Sequence, residues 1–174
     1  MTPVMDLRLP LGRLPRSVLD VETTGLWAEQ GHRVCEIAVV RAEPGHAPVT
    51  FQSFVQPGRP IDEDARRVNG ISDDDLASAP RFGDLIDTID SLLEDSVLVA
   101  HNAPFDAAFL TAEYAIANRV PPDVPVLDTL ALSRRFLGSR RHDLGSVAEA
   151  LGVPFGTRHR ALDDALTTLG VLER

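Results

Sequence analysis

Two neighbouring stretches decide the fold: Ser17-Val-Leu-Asp-Val-Glu-Thr-Thr-Gly25 and Arg33-Val-Cys-Glu-Ile-Ala-Val-Val-Arg41. The first reads as a strand over 17–23, stopped by Thr24-Gly25. The second is an almost unbroken apolar run, the pattern of a central strand. A turn-rich connection over 42–48 leads to a third strand over 49–56 and suggests a hairpin. Helical signals then take over. A short helix is expected over 61–68, and Ser72 can cap a brief one over 73–77. Phe82, Leu85, Ile86, Ile89, Leu92 and Leu93 form an apolar stripe of 3.6-residue period. A strand over 97–101, a helix over 105–118 and a short fifth strand over 126–128 follow. Helices over 130–137, 144–151 (capped by Asp143) and 160–172 complete the chain. Three strands and then alternating strands and helices predict an α/β fold, a mixed sheet covered by helices.

Acidic residues stand where such a fold does not need them. Asp20 and Glu22 alternate with Leu19 and Val21, so both carboxylates point to one face of their strand. Strand interiors disfavour Asp, and the flanking apolar residues mark the strand as central. Carboxylates at i and i+2 can share one metal ion. His101-Asn-Ala-Pro-Phe-Asp106 follows the fourth strand, and His159-Arg-Ala-Leu-Asp-Asp164 opens the last helix. Singly, Asp106 is an ordinary residue of a helix start, and His159 and Asp164 are equally unremarkable. Asp163 and Asp164 compete for one role. Asp164 shares a helix side with Ala161 and Thr168, whereas Asp163 lies nearer Thr167 and Gly170 and reads as outward-facing. Carboxylates are the ligands that hard cations such as Mg²⁺ prefer. Several of them together can hold two such ions about a phosphodiester, with a histidine to take a proton from water, as in a metal-dependent nuclease.

Composition sets the outer bounds. A chain of 174 residues, 44% hydrophobic, suits one domain with its own core. Residues 1–15 read as an irregular lead-in and 16–174 as the domain. The single cysteine, Cys35, lies in an apolar run and reads as a buried core thiol. Met1 to Arg16 carries Pro3, Asp6, Pro10 and Pro15, not a signal-peptide pattern, and no run reaches membrane-span length. A cytoplasmic protein is expected. The formal net charge is −9, and all 17 basic residues are arginine. That balance counts against gripping long duplex, since phosphate contacts supply most non-specific affinity. It counts less against holding a few nucleotides at a strand end. Arg134, Arg135, Arg140, Arg141, Arg158 and Arg160 are candidates for lining the path of a strand, and solvated surface is their plainer role.

The three acidic segments together resemble the three motifs of the DEDDh family of 3′→5′ exonucleases, which includes the proofreading epsilon subunit of bacterial replicative DNA polymerase. Asp20 to Gly25 matches Asp-x-Glu-Thr-Thr-Gly. His101 to Asp106 matches His-Asn-x-x-Phe-Asp. His159, Ala161 and Asp164 match His-x-Ala-x-x-Asp, which selects Asp164 over Asp163. The resemblance implies a ribonuclease-H-like fold with a five-stranded mixed sheet. It implies two divalent cations, Mg²⁺ or Mn²⁺, on Asp20, Glu22, Asp106 and Asp164, and His159 as general base. It places the terminal nucleotide near Thr23, Thr24, Gly25 and Leu26, with Asn102 and Phe105 opposite. Leu26 and Phe105 fit a core role equally well. Asn69 stands where the family often has histidine, and Glu36 reads as structural. The implied partner is a single-stranded or frayed 3′ end, DNA before RNA, with a polymerase as a further candidate. An exoribonuclease and an inactive nuclease-like module are the rival readings.

Overall fold

The computed structural model describes residues 5–157 and 159–174. Five strands form one sheet: β1 (Arg16–Thr23), β2 (Val34–Ala42), β3 (Val49–Phe54), β4 (Val97–Ala100) and β5 (Val126–Asp128). Their spatial order is β3-β2-β1-β4-β5. β1 and β2 are antiparallel, as are β2 and β3, whereas β4 runs parallel to both β1 and β5. This is the expected mixed sheet, with β1 at its centre.

The helices are α1 (Glu63–Asn69), α2 (Asp73–Leu76), α3 (Phe82–Leu93), α4 (Ala103–Ile116), α5 (Thr129–Phe136), α6 (Leu144–Leu151) and α7 (Ala161–Leu172). None of the described helices is long and apolar enough to cross a membrane. Strand alternation gives each sheet face its own core. Leu19, Val21, Ile37 and Val39 join Phe82, Ile86 and Ile89 of α3 and Phe109, Leu110 and Tyr114 of α4. On the other face Val18, Ala38 and Val40 meet Ala161, Ala165 and Leu169 of α7. Burying one such large side chain stabilises the fold by about 1.5–3 kcal/mol. The small residues Ala38, Ala161 and Ala165 let α7 lie close to the sheet. Met5 and Leu11 of the lead-in pack against this second core, beside buried Leu14.

Element boundaries shift for local reasons. α4 starts at Ala103, ahead of the expected Phe105, because Pro104 occupies its first turn and Asn102 takes a left-handed turn at φ 74°. α1 starts at Glu63 after Asp62 in the N-cap position. β3 ends at Phe54, two residues early. Cys35 is buried, as its apolar neighbours predict.

Candidate active site

Asp20 and Glu22 leave β1 on the α7 face, the same face as Val18, where solvent and packing meet. In the β1–β2 register Asp20 lies opposite Ala38, and Glu22 lies opposite Glu36. Asp106 comes from the first turn of α4 and Asp164 from the first turn of α7, and both are buried. Burial raises the Asp20 carboxyl well above its usual range, and Asp106, Glu22 and Asp164 add like-charge repulsion. Burial also raises Asp106. Glu22 is pushed up to about 8, first by burial and then by Asp164, Glu36 and Asp106. Four carboxylates from three elements thus converge and repel one another.

His159 precedes α7 with a left-handed backbone, φ 59°, a region in which His is enriched. Its imidazole is exposed. Its backbone N–H donates to Asp164 Oδ2 at 3.3 Å. Glu22, His159 and Asp164 each offer a ligand atom within 4.8 Å of the others, a spacing that suits one metal ion. The donor set is mostly hard oxygen, and its mutual repulsion favours a bound cation. Asp163 is engaged elsewhere, since its Oδ2 accepts from Thr157 N–H at 2.8 Å.

Glu36 is 1% exposed and fully engaged. It accepts from Arg160 at 2.8 Å, Gln52 at 2.6 Å and the Ala161 N–H at 3.2 Å. It therefore ties β2 to the start of α7, one residue from His159.

A cleft of about 450 Å³ opens beside Glu22, lined in part by Thr23, Gly25, Leu26, Trp27, Asn69 and Phe105. Leu26 is 68% exposed, which removes it from the core. Phe105 does both jobs: it packs on the first core, with Phe109 at 5.0 Å between ring centroids, and faces the cleft. The register of β1 shifts between Glu22 and Thr23, which bends the strand end into the loop. Both loop hydroxyls turn inward: Thr23 Oγ1 donates to Gly25 O at 2.7 Å, and Thr24 Oγ1 accepts from Arg33 N–H at 3.0 Å. Asn69 is buried and donates to Thr23 O at 3.4 Å, so it holds the loop from beneath. Asn102 does not face this cleft. It lines a neighbouring one with Arg134 and Arg140.

His32 is a site residue that the sequence reading missed. Its ring lies under the loop, 3.3 Å from Thr24 Oγ1 and 3.6 Å from Asp62. A Cβ on Gly25 would meet that ring at 2.2 Å, so only glycine allows the approach. The glycine was the available signal. Of the six candidate arginines, Arg160 pairs with Glu36 and Arg141 with Asp143, Arg135 lies over Phe136, and Arg158 lies outside the described residues.

A sequence model of the RNase_T family, described as "Exonuclease", matches residues 17–172. The chain belongs to this exonuclease family. It is 38% identical over 164 residues to a DNA polymerase III subunit epsilon-like protein of Rhodobacter capsulatus, a match covering 91% of this chain and 23% of the relative. It is 36% identical over 152 residues to the DNA polymerase III subunit epsilon of Treponema pallidum, covering 86% of this chain and 70% of that one. The chain therefore spans about a quarter of the first relative and over two thirds of the second. Among solved structures, exonuclease X in complex with 5′ overhanging duplex DNA is similar at TM-score 0.70 and 28% identity, over 90% of this chain and 88% of that one. E. coli exonuclease I in complex with a dA16 oligonucleotide shares the exonuclease fold at TM-score 0.79 and 16% identity, over 90% and 39%.

Proposed function

We propose that this exonuclease-family chain is a 3′→5′ exonuclease that hydrolyses the terminal phosphodiester of DNA and releases 5′-mononucleotides. The observation that carries the reading is the convergence of four buried or half-buried carboxylates with His159 at the rim of a cleft. The names of the similar proteins favour DNA over RNA.

The carboxylates of Asp20, Glu22, Asp106 and Asp164 would hold two divalent cations, Mg²⁺ or Mn²⁺, which supply positive charge to the attacked phosphodiester. The chain's own residues do the rest. His159, exposed and beside Glu22 and Asp164, takes the proton of the attacking water. The oxygen of that water bonds to phosphorus while the bond from phosphorus to the 3′ oxygen of the preceding nucleotide breaks. Leu26 and Phe105 offer apolar contact to the terminal base in the cleft. Thr23, Thr24 and Gly25 shape the loop that carries Leu26, with His32 and Asn69 supporting it.

Metal-supplemented assays with end-labelled single-stranded DNA, mismatched duplex and RNA test the reading together. The expected result is stepwise release of mononucleotides from the 3′ end, faster on DNA, and arrest by a 3′ block. Internal cutting of a circular strand would overturn it. His159→Ala should slow cleavage by roughly 10²–10⁴-fold, the worth of a positioned general base, while keeping metal-induced stabilisation. Loss of that stabilisation would make His159 a ligand. The relatives' names add a polymerase as a proposed partner, and co-elution of the two proteins tests it.

A further inference from the structure

The second cleft, of about 620 Å³, lies between the start of α4, helix α5 and the segment leading into α6. Asn102, at its rim, holds the N-cap position of α4, whose first turn carries Asp106. Its frame is tied together. His101 Nε2 donates to the His142 carbonyl at 2.8 Å, and its Nδ1 lies 2.9 Å from Thr129 Oγ1, which also donates to Ala100 O at 3.3 Å. Burial lowers the His101 pKa. Ser133 Oγ donates to Leu130 O, so the 3.1 Å contact with His142 Nδ1 is donated by the imidazole. These bonds join α4, α5 and the loop before α6 into one wall.

Arg134 and Arg140 line that wall, and both are exposed. Most arginines here are neutralised: Arg8, Arg33, Arg41, Arg66, Arg67 and Arg119 each pair with a carboxylate. Among the described residues, neither Arg134 nor Arg140 has a carboxylate within ion-pair distance. The one carboxylate of the cleft wall, Asp143, is occupied by Arg141 at 3.1 Å and by the Ser146 N–H at 3.1 Å. In a chain of net charge −9, two free guanidinium forks facing one cleft form a local positive site. Their planar donor forks match phosphate oxygens.

We infer that this cleft binds the phosphodiester backbone of the substrate strand behind its 3′-terminal nucleotide, with Arg134 and Arg140 as the phosphate-binding residues. The assignment of the strand to the active site rests on the exonuclease reading. The two unpaired guanidinium groups mark a phosphate site independently of it. Phosphate contacts are indifferent to base sequence.

The test is fluorescence anisotropy of a 5′-labelled oligothymidylate with Ca²⁺ as the metal, over a range of salt. The proteins are wild type, Arg134→Gln/Arg140→Gln, and the control Arg13→Gln/Arg81→Gln, which removes two exposed arginines elsewhere. The cleft variant should bind about tenfold or more weakly, and its plot of log Kd against log salt should flatten by about 1.4, since each single-strand phosphate contact contributes about 0.7. An oligouridylate should lose affinity equally, and the control should stay near wild type. An unchanged slope, or an equal loss in the control, would overturn the inference. Failure of wild type to degrade DNA with Mg²⁺ would sink the exonuclease reading, and the salt slopes would still decide the role of the arginines.

Discussion

Glu22 and Glu36 face each other across the central strand pair, on one face of the sheet, and the protein treats them in opposite ways. Glu36 receives a guanidinium, an amide and a backbone N–H. Glu113, also 1% exposed, receives Arg33 through bonds of 2.8 and 2.6 Å, plus the Val34 N–H. Asp20, Glu22 and Asp106 receive no ion pair among the described residues. Buried carboxylates are therefore no sign of a site in themselves. What distinguishes the site is that, among the described residues, no arginine forms an ion pair with these three carboxylates.

Arg33→Ala should break the neutralised half most severely. It strands the Glu113 charge in the interior, at a cost of about 3–5 kcal/mol, read by denaturant titration. A loss below about 1 kcal/mol would show that Glu113 needs no partner and would dissolve the contrast. The other half should respond to metal. Wild type should gain about 2.7 kcal/mol at a hundred times the dissociation constant. Asp164→Asn should gain less in thermal melts, whereas Glu113→Gln should keep the full increment. An equal shift in Asp164→Asn would remove Asp164 from the ligand set.

The metal-free protein should also depend on pH. Glu22 is raised from 4.5 to about 8 in the folded chain, so the folded state holds that proton more tightly than the unfolded state. Its contribution is complete below about pH 4.5 and is lost as the pH climbs to about 8. Melts across that window should fall, and Glu22→Gln should flatten the fall. A slope unaltered by Glu22→Gln would mean that burial and its neighbours do not hold the Glu22 carboxyl above its ordinary range. The smallest effect expected is a rise in metal-free melting temperature for Asp20→Asn, about 2–4 °C if relief of repulsion is worth about 1 kcal/mol, with activity lost.

Much of this was legible in the sequence, because it is local. Alternation put Asp20 and Glu22 on one face, and apolar runs gave the central strands. The small-residue side of the last helix favoured Asp164, and the structure buries Asp164 while Asp163 holds the Thr157 N–H. What resisted reading is non-local. Arg33 meets Glu113 from 80 positions away, and Arg160 meets Glu36 from 124. Nothing in a run of residues says which arginine will find which carboxylate. The sequence therefore offered six arginines as equals, and only their neighbours separate Arg134 and Arg140 from Arg141 and Arg160. His32 escaped notice for the same reason, since its partner Thr24 lies across a turn.

The clamp on Glu36 also has a mechanical side. Arg160 and the Ala161 N–H are both pinned to one carboxylate of β2, so the peptide between Arg160 and Ala161 is anchored on the sheet. The imidazole therefore sits one residue from a point anchored to the sheet, and its distance to Glu22 and Asp164 is tied to that anchor.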